Sequence, residues 1–141
     1  MKKIFISSDH AGFNLKEEIK KKFSKKYKFK DFGTYNSKLS VNYPDFAHML
    51  CKKVSQNNRN MGILVCGSGV GMSMAANRHK KIRAAVCYSA KNTKLSRLHN
   101  NANIITLGAR LTNKNMAFKF IDIFIKTKFE GGRHKKRVNK I

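Results

Sequence analysis

The chain is poor in acid. Only 7 Asp and Glu residues stand against 31 Lys and Arg among 141, a formal net charge of +24. It has one proline and no tryptophan. Its cysteines, Cys51, Cys66 and Cys87, are odd in number and lack C-x-x-C spacing, which argues against a disulfide framework and against a zinc site. No apolar run approaches the roughly 18 residues of a membrane span. Met1-Lys2-Lys3 leads into only Ile4-Phe5-Ile6 before the polar Ser7-Ser8-Asp9, which does not read as a secretory signal. A soluble, cytoplasmic protein with no membrane partner is therefore expected. Repeats, linkers and low-complexity segments are also missing, and 141 residues at 41% hydrophobic suffice for one core.

A charge this positive ordinarily signals a nucleic-acid partner. Lysine, however, supplies 24 of the 31 basic residues, spread from Lys2 to Lys140 in a chain also rich in Asn, Ile and Phe. That usage is the signature of A/T-rich codons, which raise lysine everywhere without selecting a binding stripe. Specific nucleic-acid binding is not expected, only weak, salt-sensitive adsorption to polyanions.

Strand-like apolar runs recur at Lys3 to Ser7, Lys28 to Phe32, Met61 to Val65, Ala84 to Cys87 and Asn103 to Leu107, with helix-length segments between them. Leu15, Ile19 and Phe23 within Asn14 to Lys26, and Phe46, Leu50 and Val54 within Asp45 to Ser55, repeat every four residues and mark apolar helical faces. Pro44 stands where a helix start tolerates it. Met72 to Arg78, Ser89 to His99 and Asn113 to Lys126 supply further helices. Strands alternating with helices predict a single α/β domain over residues 1–141, a three-layer αβα Rossmann-like fold with a parallel sheet of about five strands. The tail from Phe129 to Ile141 looks separate and basic.

Ligands of such folds sit beyond the carboxyl ends of the strands. That places Ser8-Asp9-His10, Gly33-Thr34-Tyr35, Cys66-Gly67-Ser68 and Gly108-Ala109-Arg110 on one rim. Residues 62 to 71, Gly-Ile-Leu-Val-Cys-Gly-Ser-Gly-Val-Gly, stand out, because a lone thiol sits between a buried strand and three glycines spaced two apart. Gly67, Gly69 and Gly71 let a ligand approach backbone N–H groups at a strand-to-helix turn, where positive potential favours a thiolate. A buried structural cysteine beside a tight turn is the competing reading. The loop is neither a dinucleotide fingerprint nor a P-loop: G-x-G-x-G replaces G-x-G-x-x-G, no Gly-Lys-Ser/Thr follows, and no acid lies about 20 residues on. Other candidates carry local alternatives. Asp9 reads equally as a helix cap with a solvated His10, His99 as a helix C-cap, Arg133 and Arg137 as a solvated tail, and Tyr43 as a packing residue. His48 and His79 carry no signal.

Taken together, Ser8-Asp9-His10-Ala11-Gly12-Phe13, Asn42-Tyr43-Pro44-Asp45, the Cys66 loop, Asn77, Leu95-Ser96-Arg97-Leu98-His99-Asn100, Gly108-Ala109-Arg110 and Glu130-Gly131-Gly132-Arg133-His134 resemble the type B ribose-5-phosphate isomerases. The resemblance runs in order over essentially the whole chain, and that family shares its fold with the galactose-6-phosphate isomerase subunits. It implies an isomerisation of ribose 5-phosphate and ribulose 5-phosphate through a cis-enediolate, in the pentose phosphate pathway, without metal or cofactor. Cys66 would be the base, Ser68 a proton shuttle, and His99, with Asp9, the ring-opening group. The amides of Gly67, Ser68, Gly69, Val70 and Gly71 would hold the oxyanion. Asp9, Tyr43 and Asn100 would contact the sugar, while His10, Arg110, Arg133 and Arg137 would bind the phosphate. A homodimer with shared sites, or a tetramer, is implied. The alternatives are a hexose 6-phosphate substrate such as allose or galactose 6-phosphate, and a silent phospho-sugar or nucleic-acid binding domain on the same fold.

Overall fold

The computed structural model describes residues 1–141. Along the chain run β1 (Lys2–Ser8), α1 (Phe13–Phe23), β2 (Tyr27–Asp31), α2 (Tyr43–Val54), β3 (Gly62–Cys66), α3 (Val70–Ala76), β4 (Ala84–Val86), α4 (Ala90–Leu98), β5 (Ile104–Gly108), α5 (Lys114–Lys126) and α6 (Arg133–Val138). The five strands form one parallel sheet in the order β2-β1-β3-β5-β4. The expected five-stranded α/β architecture is borne out. Central β3 and β5 are buried at every position, as strands covered on both faces must be. Edge strand β2 instead exposes Lys28 and Lys30, charges that discourage pairing with another chain.

Because side chains alternate across a strand, the sheet carries two cores. Ile4, Ile6, Ile63, Val65, Ile105 and Leu107 pack with Leu15, Ile19 and Phe23 of α1 and Phe120, Ile121 and Phe124 of α5. On the opposite face Phe5, Leu64, Cys66 and Ile104 meet Leu50, Cys51 and Val54 of α2 and Met72 and Ala76 of α3. Helix α1 stops at Phe23 rather than Lys26, because Lys26 N–H already donates to the Phe23 carbonyl (2.9 Å) and turns the chain into β2. Helix α3 begins at Val70, two residues early, since Gly69 at φ +80° makes the turn as its N-cap.

Two features depart from the sequence reading. Lys16, on α1, is fully buried, its ammonium donating to both Asp31 oxygens (2.8 and 2.9 Å) and to the Thr34 carbonyl (2.6 Å). It ties α1 to the end of β2, and removing Asp31 would strand a buried charge at a cost of about 3 to 5 kcal/mol. The tail, moreover, is not separate. Gly131 and Gly132 take positive φ, turn the chain back, and dock α6 so that His134 is buried and Glu130 N–H donates to the Leu98 carbonyl (3.1 Å).

Candidate active site

From β1 the chain passes to β2 on one side, and β3 lies on the other, so the strand order reverses between β1 and β3. A crevice opens beyond the carboxyl ends of strands at such a reversal. Asp9 follows β1 there, and Cys66 is the last residue of β3. The Cys66 thiol is almost covered, and its Sγ accepts a hydrogen bond from Gly69 N–H at 3.1 Å.

The glycines allow close approach at this loop. A Cβ on Gly71 would lie 2.5 Å from Cζ of Tyr43, and one on Gly67 would lie 2.9 Å from an Arg110 guanidinium nitrogen. Tyr43 and Arg110 therefore close on the loop against bare backbone. A Cβ on Gly108 would lie 2.6 Å from the Ser68 carbonyl, so this glycine lets the loop lie across the end of β5. The result is a cleft of about 520 Å³ lined by Asp9, Tyr43, Cys66, Gly67, Ser68, Val70, Gly71 and Arg110, with Met74 and Leu111. Those last two were missed. Met74 lies one helical turn beyond Val70 and Leu111 follows Arg110, so their spacing from predicted residues was the available signal.

Asp9 caps and lines at once: Oδ1 accepts Gly12 N–H (3.0 Å), yet the residue borders the cleft. His10 is half-buried rather than solvated, and its Nδ1 accepts Val41 N–H (3.1 Å). Its proton therefore sits on Nε2, a donor suited to an anionic oxygen. Ser68 is exposed, its hydroxyl oxygen accepting Val70 N–H (3.2 Å).

His99, Asn100, Arg133 and Arg137 are elsewhere. In a parallel sheet each helix returns the chain to the amino ends of the strands, and α4, about 14 Å long, carries His99 to that opposite pole. There the His99 ring stacks on His134 (centroids 4.1 Å apart, planes at 13°), and the Glu130 carboxylate lies 3.8 and 3.9 Å from their Nε2 atoms. Burial, the neighbouring His99 and the Arg133 guanidinium hold the His134 imidazole below its usual range, against an opposing pull from the Glu130 carboxylate. Arg133 and Arg137 line a second cleft of about 610 Å³ with Gly132, Lys136 and Lys140. Lys136 shares that cleft because it lies three residues beyond Arg133 on the same helical face. Asn100 is exposed and borders a shallow groove with Arg83 and Ala102. One chain thus holds the predicted residues as two half-sites at opposite ends of the sheet.

The ligand-type atoms of His99, Glu130 and His134 lie within 4.8 Å of one another, a grouping of metal-binding residue types. Near-parallel stacked rings, however, do not aim two ring-nitrogen lone pairs at one point, and the adjacent Arg133 disfavours a cation.

Fold and crevice together define a doubly wound α/β protein with a thiol beside a glycine-rich loop at its switch point. The chain belongs to the Ribose/Galactose Isomerase family, whose profile matches residues 4–141. A ribose 5-phosphate isomerase of Thermotoga maritima is 47% identical and superposes with a TM-score of 0.94, over 98% of this chain and 95% of that one. The probable ribose-5-phosphate isomerase B of Mycoplasma genitalium is 42% identical over 140 residues, covering 98% of this chain and 92% of that protein. A crystal structure of ribose-5-phosphate isomerase B from Mycoplasma genitalium with bound ribulose-5-phosphate is 41% identical, with a TM-score of 0.94 over 98% and 92% of the two chains. The resemblance read from the motifs is borne out.

Proposed function

We propose that this protein is an aldose-ketose isomerase interconverting ribose 5-phosphate and ribulose 5-phosphate. The observation that carries the reading is the Cys66 thiol lining the switch-point cleft, its Sγ 3.1 Å from Gly69 N, together with Asp9, Ser68 and Arg110. Relatives at this level of identity, one of them holding ribulose-5-phosphate, point to the same substrate.

In the open-chain aldose the Cys66 thiolate takes the C2 proton. The electron pair moves to the C1 carbonyl oxygen and gives an enediolate, which the loop amides not spent on Cys66 or Ser68, those of Gly67, Ser68 and Gly71, stabilise as fixed donors. Ser68 moves the O2 proton to O1, C2=O forms, and the thiol returns its proton to C1 to give the ketose. His99, assisted by Asp9, opens the furanose ring first. Asp9, Tyr43 and Asn100 hold the sugar hydroxyls, while His10, Arg110, Arg133 and Arg137 hold the phosphate.

The protein works as at least a homodimer. Since Cys66 and His99 stand at opposite ends of one sheet, the pole bearing His99, Asn100, Arg133 and Arg137 completes the cleft of a second copy. The purified protein, assayed without added metal, should turn over ribose 5-phosphate far faster than allose 6-phosphate or galactose 6-phosphate. A preference for either hexose phosphate would reject the pentose assignment, and no turnover of any of the three would reject the activity.

A further inference from the structure

The amino ends of the strands enclose a third cleft, of about 510 Å³, that shares no residue with the Cys66 cleft or the Arg133–Arg137 cleft. Lys2, Lys3, Arg59, Arg83 and Arg97 line it, and none of the chain's seven acidic residues does. Its cations are held only by neutral acceptors. Arg97, 8% exposed, donates through Nε to the Thr127 carbonyl and through Nη1 to the Asn101 side chain and the Ala102 carbonyl, leaving Nη2 without a partner. Arg83 spends Nε on the Asn101 carbonyl (2.9 Å), and both of its terminal nitrogens are unpaired. The Lys2 ammonium has the Met61 sulfur as its hydrogen-bond partner, at 3.3 Å. Arg97 is the buried one of the two while Arg83 is half-buried, and a buried guanidinium normally meets a carboxylate, because an uncompensated buried charge is costly.

We infer that this cleft, which borders the Asn100 groove through Arg83 but contains none of the residues assigned to the proposed active site, is a second anion site built for a small phosphate-bearing anion of at least two negative charges. Asn101 pins both side chains, leaving Arg83 its forked pair of terminal nitrogens and Arg97 its Nη2, a preorganised arrangement for an oxyanion. The donors start from separate elements, Lys2 on β1, Arg83 just before β4 and Arg97 at the end of α4. Tetrahedral phosphate offers oxygens in those several directions, whereas a carboxylate accepts in one plane. Burial and then the Arg97 charge push the Lys2 ammonium down, while burial and then Arg83 do the same to Arg97, the mutual repulsion a bound polyanion would relieve. Single-stranded nucleic acid fits poorly, since the lining offers no aromatic ring for base stacking.

The test is an amide NMR titration of the full-length protein with inorganic pyrophosphate at physiological salt. Saturable shifts are expected at Asn60, Asn101 and Asn103, with the dissociation constant for that event raised at least tenfold in Arg83→Gln. Lys2→Gln, which loses only a contact to sulfur, guards against a folding defect in Arg83→Gln and should weaken binding in the same direction. Arg137→Lys should leave these shifts unchanged. A Lys25→Gln/Lys26→Gln variant that loses as much as Lys2→Gln, or shifts that never saturate, would reduce the cleft to diffuse basic surface. A thymidine oligonucleotide saturating the same amides more tightly than pyrophosphate would overturn the small-anion assignment.

Discussion

Replacing Cys66 by Ala in one copy of the chain and His99 by Asn in another should give two inactive proteins that rescue each other. Helix α4 separates the two residues by the depth of the sheet, so one chain cannot bring them together. In a two-fold dimer the partner's pole must fill each cleft. Random mixing of the two parents gives homodimers and heterodimers in the ratio 1:2:1, so about half of the dimers are mixed. Each heterodimer has one cleft with both substitutions and one with neither. Activity should therefore recover to about a quarter of wild type, against a parental background of a few percent or less. Co-expression with two affinity tags, sequential purification of the heterodimer and an initial-rate assay on ribose 5-phosphate give the number directly, and the isolated heterodimer should reach about half of wild type. A heterodimer no more active than the sum of its parents would refute shared sites and place ring opening within one chain.

Other perturbations read the cleft and the packing separately. Gly71→Ala puts a Cβ 2.5 Å from the half-exposed Tyr43 ring, which can swing outward, so KM should rise about tenfold with less than about 1 kcal/mol of stability lost; Gly12→Ala meets the Val65 carbonyl oxygen at 2.3 Å and should cost about 3 kcal/mol in denaturant titrations. Arg137→Lys keeps charge but loses the planar fork, weakening substrate binding by roughly 1.5 to 3 kcal/mol, or about tenfold to over a hundredfold, whereas exposed Lys135→Gln should matter far less and mainly at low salt. Burial pushes the Cys51 thiol up to about 12 and raises Cys87 too. Unfolded thiols ionise near pH 8.5 while Cys51 does not, so its contribution is full below about pH 8 and falls toward pH 12 by about 1.4 kcal/mol per pH unit, and Cys87 acts in the same direction. Urea midpoints at pH 8 and pH 10 should accordingly diverge less in Cys51→Ala than in the wild type.

Much of the fold was legible because strand and helix periods are local. Leu15, Ile19 and Phe23, and Leu50 and Val54, are buried where their four-residue spacing put them. The rim was legible too, since a parallel sheet sends every strand end to one side, and Asp9, Cys66 and Arg110 do line one cleft. What sequence could not give was distance between elements. His99 is motif-adjacent to the chemistry yet lies at the far pole, a consequence of helix direction and not of residue type. Lys16 illustrates a second limit: among 24 lysines nothing local marks the one that is buried, because its partners Asp31 and Thr34 lie far along the chain. The docking of the tail depends likewise on a ring stack between His99 and His134 that no spacing reveals.

The central claim is that the Cys66 thiolate carries the proton between C2 and C1, and Cys66→Ala in deuterated water tests it most directly. The wild type should convert ribose 5-phosphate and incorporate solvent deuterium into the sugar. Cys66→Ala should still bind the sugar phosphate with nearly wild-type affinity, keep its melting temperature within a few degrees, and neither convert nor exchange it beyond background. Turnover or exchange above a few percent of wild type in that variant would contradict the account and assign the base to another group in the cleft.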